Sequence, residues 1–302
     1  MDLFVQYIAE RHTIYKKRFL RKEPFPWTDD PILRKFKFTN VFRFLDPGTK
    51  YVIEKIIPNC RSLTQTIFNL IIYRLYNKIE TFEKLGIQTI EDFNRETFDS
   101  SLRELKASGV PVFTNAFTVA GYNWINASDD KIGNTSSLIA FFHKDIADIT
   151  QAISSKATNR SENTYKVLLS LNGLGKFLAY QIAVDIGYWN LALFDEGSFV
   201  VAGPGCRRGI DRVYSSRNGL SYEECIRLTA DNQDQFFQRR NIDLDSLFDD
   251  QKVPRLNLMA MENCFCEISK YLRAYYDEGR PRIIFHPNDH ESRAPVLEKW
   301  LQ

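Results

Sequence analysis

The sequence predicts an all-α protein, and three observations carry that prediction. Apolar residues recur at three- and four-residue intervals over most of the chain, as one face of a helix requires. Alternating strand patterns joined by hairpin signals are missing, and PVFTNAFTVAG (111–121) is the one short β or turn candidate. Hydrophobic residues make up 44% of the 302 positions and aromatics 14%, enough to bury a sizeable core. With no internal repeat and no low-complexity linker, residues 1–302 read as a single helical domain, shaped as two lobes around a groove.

The elements follow in order. FVQYIAERHTIYKKRFL sets Phe4, Ile8, Ile14 and Phe19 along one face. Pro24, Pro26 and Pro31 then break the chain and leave a loop, EPFPWTDDP. LTQTIFNLIIYRLYNKIETFEKL (63–85) repeats the helical pattern more strongly, and further helices are predicted over 91–106, 136–153, 163–171, 175–186, 221–230 and 258–277.

Composition excludes several classes. The longest apolar runs, such as Ile67–Ile72, fall well short of a membrane span, and the N-terminus lacks a signal-peptide core. Five cysteines form no disulfide framework, iron–sulfur loop or zinc ribbon, which fits a reduced, cytoplasmic protein. His12, His143, His286 and His290 show no metal spacing with acids or thiols, so no catalytic metal and no cofactor are expected. The net charge of +2 is polarised: residues 1–50 hold eleven Lys/Arg against six Asp/Glu, and residues 221–250 hold three Arg against eight acids. The basic, aromatic-rich RHTIYKKRFLRKEPFPWT can track phosphates, although a solvated helix face explains it as well.

The most informative stretch is LNGLGKFLAY (171–180). An apolar helix runs into Asn172–Gly173–Leu174–Gly175, and a second helix starts near Lys176, a helix–hairpin–helix over about 165–186. Glycines at 173 and 175 permit φ > 0 and close backbone approach, Leu174 can plug the core, and the amides that follow favour an anion. A dinucleotide fingerprint would need a preceding strand and a third glycine, and a phosphate loop would need Ser or Thr where Phe177 stands. A plain C-cap glycine between packed helices remains open as the alternative.

The hairpin resembles that of the helix–hairpin–helix DNA glycosylases, in which a similar turn precedes the catalytic aspartate by about twenty residues. Asp195 stands at that distance from Gly175. That resemblance implies a carboxylate able to stabilise an oxocarbenium-like sugar and to activate water. Phe177 occupies the position of the lyase lysine, so the implied activity is monofunctional, with Lys176 as a phosphate contact. The continuation EGSFVVAGPGCRRGIDRVY departs from the glycosylase pattern, and Asp185, in QIAVDIGY, is the reserve catalytic acid. An acid among apolar helix residues has to be satisfied or functional.

A narrower likeness runs through PFPWTDDPIL–KFTNVFRFLD, RLYN, GKFLAYQIAVDIGY, AGPGCRRGI and ENCFCEISKYLR, roughly residues 20–275. These resemble the family named for the helical domain of phage 5-hydroxymethyluracil DNA kinases, which includes the α-glutamyl/putrescinyl-thymine pyrophosphorylases. The resemblance implies a modified-base DNA partner, phage DNA. With no P-loop kinase module in these residues, kinase activity itself is expected to be absent.

At the family's motif positions, Asn40, Arg43 and Asp46 are expected on one helix face, for base-edge or phosphate recognition or as a buried network. Trp27, Phe25 and Tyr122 are candidates for stacking on an extruded base. Gly203, Gly205, Arg207 and Arg208 suggest a tight turn that clamps a phosphate. Glu267 and Lys270 line the pocket or pair at the surface, and Cys264 and Cys266 read as small buried residues. The resulting expectation is a monomeric DNA glycosylase that excises a hydroxymethylated or further decorated pyrimidine, as a phage defence. A transferase replacing the phosphate of activated 5-hydroxymethyluracil with an amine, and a silent modified-DNA-binding module, are the alternatives.

Overall fold

A computed structural model describes residues 1–114, 130–250 and 255–287, and the chain is all-α. The described residues form fourteen α-helices: α1 (Asp2–Tyr15), α2 (Pro31–Lys35), α3 (Pro47–Tyr51), α4 (Leu63–Tyr76), α5 (Ile79–Leu85), α6 (Arg95–Ala107), α7 (Lys131–Ser154), α8 (Arg160–Ser170), α9 (Lys176–Trp189), α10 (Pro204–Val213), α11 (Tyr222–Asp231), α12 (Gln233–Gln238), α13 (Leu244–Leu247) and α14 (Leu258–Tyr275). Among the described residues the only β pairing is a single bridge, Phe36 to Ile284.

The chain folds as two compact units. Unit 1 takes both ends, Met1–Pro47 and Glu196–Gln302, and unit 2 is the continuous middle, Gly48–Asp195. Each has its own core. In unit 2, α4 is almost wholly buried and packs against α7 and α9, with Ile67, Phe68, Leu70, Ile71, Ile72 and Leu75 excluded from water. In unit 1, α10 and α14 make the closest pairing, and α1 lies on α14 through stacked rings of Phe4 and Phe265.

The apolar periodicity matches the long helices, and their boundaries shift where a backbone group takes a cap. The run over 63–85 divides into α4 and α5, because Asn77 adopts a left-handed conformation (φ 47°) and its N–H closes on the Tyr73 carbonyl. Helix α7 begins five residues earlier than its apolar pattern suggests, since Asp130 accepts from the Gly133 amide and opens the helix. FTNVFRFLD is the largest departure. Arg43–Leu45 is one 3-10 turn entered from the extended Phe42, so Asn40, Arg43 and Asp46 do not share a helix face.

Candidate nucleic-acid interface

The hairpin forms as its residues dictate. Leu171 closes α8 in an extended conformation, Gly173 takes φ +95°, and the Leu174 amide donates to the Leu171 carbonyl at 3.0 Å. A Cβ on Gly173 would sit 2.7 Å from Leu138 Cδ1, so glycine is required there for both backbone and space. Leu174 is buried as the plug, while Asn172, Gly175 and Lys176 are exposed at the start of α9. A Cβ on Gly175 would meet nothing within 4 Å. The hairpin therefore presents a helix N-terminus and an ammonium to solvent, a geometry that favours a phosphate.

Asp185 does not fit a catalytic role in this geometry. It is fully buried on α9, and its carboxylate takes both the Nε and the Nη2 of Arg74 from α4, the latter at 2.8 Å. Arg74 also donates to Asn77 Oδ1 at 2.7 Å, so the pair locks α9 to the C-terminal turn of α4. Asp195 is exposed, ten residues further on, and its amide donates to Ser161 Oγ at 2.9 Å.

In unit 1 the second glycine pair behaves differently. Pro204 begins α10 with Gly203 as the extended residue before it, so the segment is a helix start rather than a clamp-forming turn. Gly203 is buried, and its N–H donates to Glu262 Oε1 at 3.0 Å. The Ala202 N–H donates to Glu223 Oε1 at 2.9 Å. Two carboxylates thus hold the N–H groups at this helix start. A Cβ on Gly205 would collide with Cys266 Sγ, and one on Gly209 with the Phe265 carbonyl. These glycines serve the close approach of α10 to α14. Arg207 and Arg208 are both exposed, and Arg207 is tied to the Ala202 carbonyl at 3.1 Å and lies 5.2 Å from the centroid of the Tyr222 ring.

Asn40, Arg43, Glu267 and Lys270 belong to a polar network between the 38–46 segment and α14. Asn40 is 2% exposed; its Oδ1 accepts from Arg11 at 2.7 Å and its Nδ2 donates to the Leu45 carbonyl at 2.8 Å. Its amide donates to Asp46 Oδ1 at 2.8 Å. The Thr39 amide donates to Glu267 Oε2 at 3.2 Å, and Lys270 pairs with Glu267 Oε1. The polar atoms of Asn40 and Glu267 are thus committed within the chain. Burial pushes the Glu262 carboxyl up to about 7, against the opposing pull of the Gly203 amide and of Arg43. Burial likewise pushes the Cys266 thiol up to about 12 and raises the Cys264 thiol, which leaves both protonated and unreactive.

In the basic segment that follows α1, Lys16 and Lys17 are also internally engaged. Lys16 donates to the carbonyls of Ser246 and Leu247 at 3.2 Å and pairs with Asp249, and Lys17 reaches the Trp27 carbonyl at 3.1 Å. Trp27 is buried, its indole N–H donating to the Glu23 carbonyl at 2.7 Å. Trp27 and Phe25 line a narrow cleft with Phe19 and Phe285, next to Arg18 and Arg34. Tyr122 and His290 lie outside the described residues. Sequence reasoning missed Arg74, Glu262 and Arg18; for Arg74 the signal was an arginine in the otherwise apolar α4.

The likeness to known proteins covers nearly the whole chain. A match to the family described as the 5-hmdU DNA kinase helical domain extends over residues 1–280, and the chain belongs to that family. A "5-hmdU DNA kinase" of Bacillus phage SP10 is 27% identical over 293 residues, 92% of this chain. The chain spans 45% of that relative's length. No solved structure matches it. These findings overturn the glycosylase expectation, because the named relative is a kinase, a transferase of phosphoryl groups and not a hydrolase of N-glycosidic bonds. Neither the amine-transferring enzyme nor the silent binding module matches a kinase. No helix among the described residues is long and apolar enough to cross a membrane.

A kinase reaction implies a nucleotide and a divalent metal. Among the described residues no cluster of three His, Cys, Asp or Glu side chains could hold a metal ion, and Phe177 follows Lys176 where a phosphate loop has Ser or Thr. The described residues do not fit a nucleotide–metal centre.

Proposed function

We propose that this chain acts on DNA carrying 5-hydroxymethyluracil, handling the modified strand for phosphorylation of its hydroxymethyl oxygen. The observation that carries this reading is the family match over residues 1–280, in a family described by that kinase. The exposed hairpin supports it. A strand phosphate at the start of α9 meets a helix N-terminus, the positive end of its dipole and the Lys176 ammonium, with Gly175 leaving room for close approach. Phosphate contacts of this kind fix the register of the strand and carry no sequence information, so recognition of the modified base falls to other groups.

Fluorescence anisotropy tests the reading with two oligonucleotides identical except for one central residue, 5-hydroxymethyluracil or thymine. The expected result is salt-dependent binding of both and tighter binding of the hydroxymethylated strand, by about tenfold for one satisfied hydroxyl contact. Equal affinity for the two strands contradicts it.

A further inference from the structure

We infer that the cleft of unit 1 beside Trp27 is a pocket for one unpaired pyrimidine nucleotide of the DNA, an inference that rests on the DNA-acting reading above. The cleft combines two chemistries that a nucleotide needs together. Its walls are flat rings, of which Phe19, Trp27 and Phe285 surround the Arg18 guanidinium with centroids 4.7, 5.0 and 5.2 Å away. Arg34 and Lys37 add two more cations to the lining, and no carboxylate is present among the described lining residues. An aromatic slot edged by cations suits a planar base carrying a phosphate, since every base has a π-face and its phosphate an arginine partner.

Core packing alone explains this region less well. Phe25, which meets Trp27 edge-on at 5.3 Å, is 41% exposed, and Arg34 is exposed, so the cleft opens to water. The slot is narrow and admits a base only when that base has left its stack. The entering base takes the ring faces that Arg18 covers, and the displaced guanidinium pairs with the phosphate. No bond is made or broken.

The test uses the full chain and a single-stranded oligonucleotide with one central 5-iodouracil, a 5-substituted pyrimidine that crosslinks on irradiation to rings stacked against it. Binding is followed by anisotropy, and crosslinks are mapped by mass spectrometry. The expected crosslinks fall on Phe19, Trp27 or Phe285. The double variant Arg34→Ala, Lys37→Ala keeps its far-UV circular dichroism and loses about tenfold in affinity, as two solvent-screened ion contacts would. Binding with crosslinks only elsewhere overturns the pocket while leaving the DNA-acting reading intact. Absence of any binding overturns both.

Discussion

The two units each carry a Gly-x-Gly pair at the start of a helix, and the pairs do opposite work. In unit 2, Gly173 and Gly175 turn the chain tightly over Leu138 and leave the start of α9 open at Gly175 and Lys176. In unit 1, Gly203 and Gly205 bury the start of α10 against α14, where Glu262 and Glu223 take the N–H groups at its start. The difference teaches that a glycine pair licenses close backbone approach without choosing what approaches. In one case the neighbour is solvent, and under the proposed function a phosphate; in the other it is a helix and two carboxylates.

The largest expected effect lies under the hairpin. Removing Asp185 leaves the Arg74 guanidinium buried without its counter-charge, and Asp185→Ala should cost unit 2 about 4 kcal/mol in urea unfolding. If it unfolds like the wild type, the pair does not anchor α9. The corresponding break in unit 1 is Gly209→Ala, whose methyl must displace the Phe265 carbonyl; a loss of about 3 kcal/mol is expected from overpacking. A neutral result would show that α10 and α14 can part without cost.

Glu262 sharpens the contrast through pH. Its carboxyl titrates near 7 when folded and near the ordinary 4.5 when unfolded, so the folded chain holds a proton that the unfolded chain has released between those values. Stability from this group is full below about pH 4.5 and declines by about 3 kcal/mol as pH rises through 7. Glu262→Gln keeps an acceptor for the Gly203 amide and should lose that decline, seen as a flatter Tm profile from pH 5 to 8. An unchanged profile would place the titration elsewhere. The smallest effect is Lys176→Ala, which should leave thermal unfolding unaltered, weaken DNA binding several-fold and lower the salt slope by about one. Stability loss without binding loss would make Lys176 structural.

Much of the fold was legible because its signals are local. The hairpin depends on residues within a few positions of one another, and Leu174 was recognisable as its plug from the sequence LNGLGK. What the sequence left hidden was long range. That Asp185 needed satisfying was clear from its apolar neighbours, but its partner Arg74 lies 111 residues away. At Gly203 the same holds: Glu262, which takes its N–H, lies 59 residues on. Asn40 and Arg43 are spaced as if helical, yet the chain around Phe42 is extended, and Asn40 bonds Arg11 and Asp46 instead. The chemistry was misplaced because a hairpin and a carboxylate at glycosylase spacing say how a strand is held, not which bond changes.

Hydrogen exchange of the full chain, with and without a 5-hydroxymethyluracil oligonucleotide, tests the central contrast most directly. The account predicts that DNA slows exchange at the start of α9, residues 175–178, and leaves residues 203–206 of α10 unchanged. Protection at 203–206 with none at 175–178 would contradict it.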